Sequence, residues 1–451
     1  MRSDRAKNLV RYVFPAILTN TCIFLFTIID GVFVGHGVGT DALGAVNIAM
    51  PFVMITTALN MLTSIGGVTI AAIRLGRGDK DGANQAFMHA LTANFALSLI
   101  ITLLGTVLTE PMCRLLGADA YYLPMVKEYV FWWALGAIPS ALSVVFQSFC
   151  RNDGSPMLVA AATVASTLLN IFLDWLLVFP LHMGIMGAAL ATGISQAVSF
   201  LIVLMHFVLK KGDLRIRRFK PEGKLYRKVI FRGLPEMIAQ FATPVSTICM
   251  NHVLVANMGE LGVNAFAVIS YVASFSMSVL FGASEGLQPL FGQAYGAKHD
   301  EDLKYYLRRS MLISLAGSAL CTLLAVCAGR PICALFGAEG EVLDFIVKHM
   351  PEYAWGFIIM SVNTLISAYL YSTKRTKQAV ILNVCRSFLF DSVVIFAVAA
   401  IFGGSAVWLT MGIYEGLALL LGVVVLYNLG VMSYTERFRE MATLKVVGFK
   451  D

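Results

Sequence analysis

The sequence predicts an all-α polytopic membrane protein with twelve transmembrane helices in two pseudo-symmetric six-helix lobes. Three observations carry that expectation. First, the 451 residues are 58% apolar and only 14% charged, with a mean hydropathy of +0.76, whereas a soluble chain carries roughly a quarter charged residues. Second, the apolar residues run in stretches long enough to cross a bilayer as helices, about 20 residues each. Third, the two halves of the chain resemble each other. The low charge along the whole length excludes a soluble multidomain enzyme and a disordered chain. The eight cysteines fall mostly in apolar runs without CxxC or CxxH spacing, so they read as small buried hydrophobes, with no metal or other cofactor implied.

In chain order the apolar stretches span roughly residues 9–34, 44–74, 86–109, 125–150, 157–181, 187–209, 229–256, 262–294, 308–329, 345–370, 377–401 and 406–430. The first follows Arg2, Arg5, Lys7 and Arg11, as a secretion signal would. It is too long for one, contains Pro15 and lacks a small-residue cleavage site, so it reads as a retained helix. The second and eighth exceed a straight crossing and extend past the bilayer on one side. Continuous apolar runs exclude a β-barrel, whose strands alternate over about ten residues.

The basic residues orient the spans. With the N-terminus in the cytoplasm, 29 of the 34 Lys and Arg fall in inner segments, which places both termini on the cytoplasmic side of the cell membrane. The domains then follow: a first lobe over 1–209, a basic linker over 210–228, a second lobe over 229–430, and a cytoplasmic tail over 431–451. A net charge of +7 in so apolar a chain reflects these inner segments. Anionic lipid headgroups are the expected partner of the linker, and no nucleic acid is expected. A monomer is the expected state.

Sliding one half over the other by 220 positions brings Pro15 onto Pro235, Gly39 onto Gly259, Ala45 onto Ala265, Ser64 onto Ser284, Gly66 onto Gly286 and Gly76 onto Gly296. The fragment from Pro111 to Ala118 falls on that from Pro331 to Ala338. Each half has an even number of spans, so the copies are parallel, related by an axis along the membrane normal. Secondary transporters use a cleft between such halves for alternating access, although channels are also built from repeats.

A charge near the bilayer centre costs roughly 3 kcal/mol, so each asks for a partner or a role. Asp30 lies about four residues from the outer end of its span and Asp174 about seven from the end of its own. Asn170 precedes Asp174 by four, on the same helix face. Thr192 lies about five residues into span 6, with Gln196 one turn deeper. These groups share one layer in the outer half of the first lobe. Two carboxylates there do not comfortably both ionise, as a proton-coupling site requires. The same oxygens also suit a sodium ion, or helix-to-helix hydrogen bonding alone. In the second lobe Met250 stands opposite Asp30, so the site is not duplicated. Asp391 and Glu415 form a deeper acidic pair, expected to line a cavity for a cationic substrate or ion. Nearer the inner side, Glu236, Glu285 and Arg386 suggest either a closing ion cluster or a fixed internal pair. Pro15 and Pro235 each remove a backbone hydrogen bond in a lobe's first helix, giving a moving bend or a static kink. Glu352 follows Lys348 by four residues, a spacing for a surface pair.

Other patterns carry less. Gly282-Ala-Ser284-Glu-Gly286 fits an esterase motif but lies within an apolar helix, so no enzyme is implied. Gly35-His-Gly37-Val-Gly39 is expected on an outer loop and lacks a phosphate-binding context. Gly31 and Gly35 fit small-residue helix packing. His252 reads as a packing histidine or a proton relay.

The residues resemble the multidrug and toxic compound extrusion (MATE) family over nearly the whole chain. The resemblance is carried by Asp30-Gly31 with Val34-Gly35, by Ala42-Leu-Gly-Ala-Val46, by Gln288-Pro-Leu-Phe-Gly-Gln-Ala-Tyr-Gly-Ala297, by Asn170-Ile-Phe-Leu-Asp174 and by Gly187-Ala-Ala-Leu-Ala-Thr192. It implies a V-shaped pair of lobes and an antiporter that expels amphiphilic, often cationic compounds against a proton or sodium gradient. The last two segments look like the prokaryotic branch whose ion site is in the N-terminal lobe. That branch's cation site falls on Asp30, Asn170, Asp174 and Thr192, its bending helix on Pro15, and a neighbouring tyrosine on Tyr129. Tyr129 and Gln196 join Asp391 and Glu415 as candidate residues of the substrate cavity. A different branch carries a glutamate eight residues after the second proline; here that position is Thr243. The competing readings are a lipid-linked saccharide flippase, which would favour a basic cavity, and a passive channel.

Overall fold

The apolar runs become long helices because a backbone in hydrocarbon must satisfy its own hydrogen bonds. The computed structural model describes the backbone of residues 2–38, 40–116, 118, 120–327, 329–335 and 340–446, with the side chains over most of that length. Among them every regular element is helical. The first half contains α1 (Arg2–Gly37), α2 (Thr40–Gly76), α3 (Lys80–Val107), α4 (Thr109–Leu115), α5 (Leu123–Leu135), α6 (Ala137–Asn152), α7 (Pro156–Val178) and α8 (Gly184–Val208). The second contains α9 (Gly223–Gln240), α10 (Ala242–Gly296), α11 (Asp300–Cys327), α12 (Gly329–Leu335), α13 (Gly340–Ala354), α14 (Gly356–Ser372), α15 (Thr376–Val384), α16 (Asp391–Phe402) and α17 (Thr410–Val446). Hydroxyls inside the spans bond back to their own helix, as Thr56 and Thr57 do to the carbonyls of Phe52 and Val53. Large apolar side chains such as Leu103, Leu168, Leu323 and Val393 are exposed on the outside of the helices, the surface a lipid-embedded protein presents.

Among the described residues ten helices are long and apolar enough to cross a membrane singly, and α5 with α6, bent by 45°, supplies an eleventh span. The remaining expected span, 229–256, is divided at Phe241 between α9 and α10. Helix α10 then bends at Gly259, whose φ of 62° and ψ of −144° suit a residue without a Cβ. Pro15 breaks nothing so sharply: α1 continues through it to Gly37. That continuity corrects the expected loop at Gly35–Gly37, which is helical; Gly39 lies outside the described residues, as do Gly117, residues 336–338 of the matched fragment, and the side chain of Thr243.

Two apolar clusters lie within the halves, one in the first around Ala45 and Val130 and one in the second around Met250 and Trp408, and a third, around Phe87 and Phe149 of the first half, also takes in Leu225 and Val229 of α9. Two further clusters join the halves. One packs Leu9, Tyr12 and Val13 of α1 against Leu287, Leu290 and Phe291 of α10, and the other packs Ile65 of α2 against Ile366 and Leu370 of α14. Both lie toward the end of the molecule that carries the 210–222 linker.

Glycines permit that contact, and they do so symmetrically. A Cβ on Gly76 would collide with the Gln293 carbonyl, and one on Gly296 with the Ile73 carbonyl. These two contacts map onto each other under the same 220-residue shift. Gly66 likewise abuts α9 at Val229 and Gly233, while its counterpart Gly286 abuts α1 at Tyr12 and Val13. The sequence repeat is thus expressed as a pseudo-twofold interface between the lobes.

The linker itself is fastened to the first half. Asp153 accepts from the backbone N–H groups of Asp213 (2.8 Å) and Leu214 (3.2 Å) and bonds His206 (2.9 Å). The Asn84 side chain accepts from Arg215 N–H (2.6 Å), and His89 from Glu222 N–H (2.8 Å). Leu214 is fully buried.

Candidate functional site

In the first lobe the structure brings the expected polar layer together. Asp174, on α7, has no solvent exposure. One turn before it stands Asn170; with its amide assigned the orientation that satisfies both ends, it donates to Asp174 Oδ2 (2.8 Å) and its carbonyl accepts from Thr192 N–H (3.3 Å) on α8. The Thr192 hydroxyl bonds back to Ala188 (3.2 Å). Asp30 on α1 lies within Coulombic reach of Asp174, and Tyr129 on α5 within reach of both. One oxygen of each aspartate, Oδ1 in both, is buried without a hydrogen-bond partner. No Lys, Arg or His is bonded to either acid among the described residues. Tyr129 is 6% exposed, packed in the lobe core with Val126 and Val130, and Gln196 is half-buried one turn from Thr192.

The second lobe requires corrections. Arg386 does not bridge to Glu236 and Glu285; its Nε and Nη2 grip Glu415 at 2.9 and 2.6 Å. Glu415 also accepts from Asn363 (2.7 Å). Asp391 and Glu415 are therefore not a bare acidic pair, because Arg386 neutralises one of them. The cause is a π-helical turn, Cys385–Phe390, between α15 and α16. Residues five apart on an α-helix point about 140° away from each other. Here the Asp391 N–H closes onto the Arg386 carbonyl, and both side chains face one cavity.

The expected inner cluster is likewise divided. Glu236 pairs with the Tyr371 hydroxyl, which also bonds Gln288 (2.5 Å). Glu285 instead reaches across to the first lobe, where its Oε2 accepts from Arg151 (2.9 Å) and Asn20 (3.0 Å). In sequence Arg151 stands at the end of an apolar run, the position of an ordinary loop base. Its low exposure shows only in three dimensions. The expected Lys348–Glu352 pair is replaced by His349–Glu352 (2.8 Å), since the histidine is one turn away and closer to the carboxylate. His252 is exposed, with its ring 6.0 Å from that of Phe396.

Two helical halves related by a repeat, closed on one side and holding acids in their interiors, define a two-lobe membrane transporter. The MatE family model matches this chain twice, over residues 15–176 and 235–397, its two copies starting 220 residues apart like the repeat. The chain belongs to the MATE family. It is 22% identical to the multidrug export protein MepA of Staphylococcus haemolyticus, over 94% of this chain and 93% of that protein. It is 24% identical to an FAD transporter of Shewanella oneidensis, over 82% and 83% of the two. The fold matches an outward-facing multidrug resistance MATE transporter with a TM-score of 0.89 at 22% identity, covering 96% of this chain and 97% of that one.

Proposed function

We propose that this protein is a multidrug efflux antiporter that exports amphiphilic, cationic small molecules in exchange for H⁺ or Na⁺ by alternating access. In this reading the coupling ion sits on Asp30, Asn170, Asp174 and Thr192, as in the branch with its ion site in the N-terminal lobe. The observation that carries it is the pair of buried carboxylate oxygens without partners on Asp30 and Asp174. An unsatisfied buried carboxylate is costly, and a proton or a sodium ion relieves it. The residues fit either ion. Release of that ion on one side of the membrane and uptake on the other would couple the site to lobe movement. The names of the staphylococcal relatives support export of drugs. The pairing of Arg386 with Glu415 counts against a flippase, since the second lobe's buried base is already neutralised.

The test is efflux of a fluorescent organic cation from proteoliposomes under an imposed pH gradient and then a sodium gradient. Wild type responds to one or both, while Asp30→Asn and Asp174→Asn lose the response. Full gradient-driven transport by both variants would overturn the assignment, and downhill flux indifferent to either gradient would favour a channel.

A further inference from the structure

We infer that the second lobe holds a binding site of its own for an organic ammonium group, centred on Asp391. This deepens the export reading and rests on it for the substrate class. A cavity lies beside the π-helical turn, walled by α10, α13, α14, α16, α17 and the turn itself. Asp391 is 2% exposed. Its Oδ1 accepts from Ser246 (3.1 Å), while Oδ2, equally buried, has no partner.

Charge identifies the occupant. The ionisable lining is Asp391, Glu415 and Arg386, and Arg386 is already committed to Glu415. One negative charge is left over, which a single monovalent cation neutralises. A metal ion would need several acidic, His or Cys ligands, and no group of three such side chains that could hold one occurs among the described residues. The rest of the wall carries three aromatic rings, Phe266, Tyr353 and Tyr414, and three thioethers, Met277, Met360 and Met411, beside five Ser and Thr side chains. Ring faces attract ammonium groups, and methionine adapts to varied apolar shapes. The site thus suits a primary or secondary ammonium that donates to Asp391 Oδ2 and lays its apolar part on the rings.

The π-helical turn makes the site possible. Without it the five-residue spacing would turn Asp391 and Arg386 to different faces, and the carboxylate would leave the cavity. Turns of this kind are frequent at functional sites.

The experiment is calorimetric titration of the purified full chain in detergent, without any gradient, using benzylammonium and its neutral isostere benzyl alcohol. Wild type is expected to bind the ammonium at least about tenfold tighter, as a charged hydrogen bond implies. Asp391→Asn erases that preference. Ser274→Phe fills the cavity from α10 without touching the carboxylate, and abolishes binding of the ammonium. Equal affinity of wild type for both probes, a preference that survives Asp391→Asn, or undiminished binding by folded Ser274→Phe would each overturn the proposal. If Asp391→Asn does not fold, the wild-type comparison and Ser274→Phe still decide. Because no gradient is involved, failure here leaves the Asp30/Asp174 coupling result standing, and failure of that coupling leaves this one standing.

Discussion

Arg151, at the end of α6, and Glu285, three turns before the end of α10, form an ion pair between the two lobes: Nη1 and Oε2 are 2.9 Å apart, with the side chains only 10% and 15% exposed. Removing one member of such a pair strands the other charge, at a cost of about 3 kcal/mol. Any movement that separates the lobes on the linker side must break it. Glu285→Gln is therefore expected to favour the separated form. Spin labels at Arg77 and Lys298, both exposed near the lobe boundary, would show a longer distance distribution. Replacing both partners by leucine restores the short distances, because no buried charge is left alone. Unchanged distances in Glu285→Gln would show that the pair does not hold the lobes.

The glycine contacts make a second, symmetric prediction. Gly76→Ala and Gly296→Ala each place a methyl against a carbonyl of the other lobe, at Gln293 and Ile73. Backbone cannot move aside as a side chain would. Both variants are expected to lengthen the same label-to-label distance, and by similar amounts. The double variant adds less than the sum, since the two glycines face each other and share one strain. A change confined to one of the two would contradict the symmetry.

These two contacts show what was legible in the sequence and what was not. The equivalence of Gly76 and Gly296 could be read from the repeat, and the layer of Asp30, Asn170, Asp174 and Thr192 from depth and four-residue spacing. Both depend on regular helix, where position along the chain fixes height and face. The partner of Arg386 could not be read, because a π-helical turn shifts the phase of everything beyond it. Depth placed Arg386 near Glu236 and Glu285, yet the turn aims it at Glu415. Nor did sequence distinguish Pro15 from Pro235, which occupy matching positions. The helix around one continues, and the span around the other breaks at Phe241, so the surrounding packing decides.

The linker supplies a third prediction. Asp153 holds two backbone N–H groups of the linker and His206. Asp153→Ala leaves all three without that acceptor, and the segment from Asp213 to Glu222 should detach from α3 and α6. It contains four basic residues, Arg215, Arg217, Arg218 and Lys220, so trypsin reports its release. Cleavage is expected to quicken about tenfold if roughly one hydrogen bond's worth of free energy is lost. A cleavage rate equal to wild type would mean that Asn84 and His89 hold the segment without Asp153.

On the opposite side, Glu110 of α4 accepts from Lys127 of α5 (2.8 Å) and from Arg114 one turn along its own helix (3.0 Å). These two cations hold its carboxyl below the usual glutamate range. A carboxyl with a depressed folded-state value stabilises the fold above its unfolded value of about 4.3 and loses that contribution as pH falls through the folded value. The group is exposed, so water screens the pair and the effect is small. Glu110→Gln should therefore melt at most about 2 °C below wild type at pH ~7. The gap should close as pH falls through the folded-state value of Glu110, below which both proteins carry a neutral side chain. High salt should narrow the gap at pH ~7 as well, through screening. A gap that persisted at low pH would assign the loss to packing of α4 against α5 instead of to the charge pair.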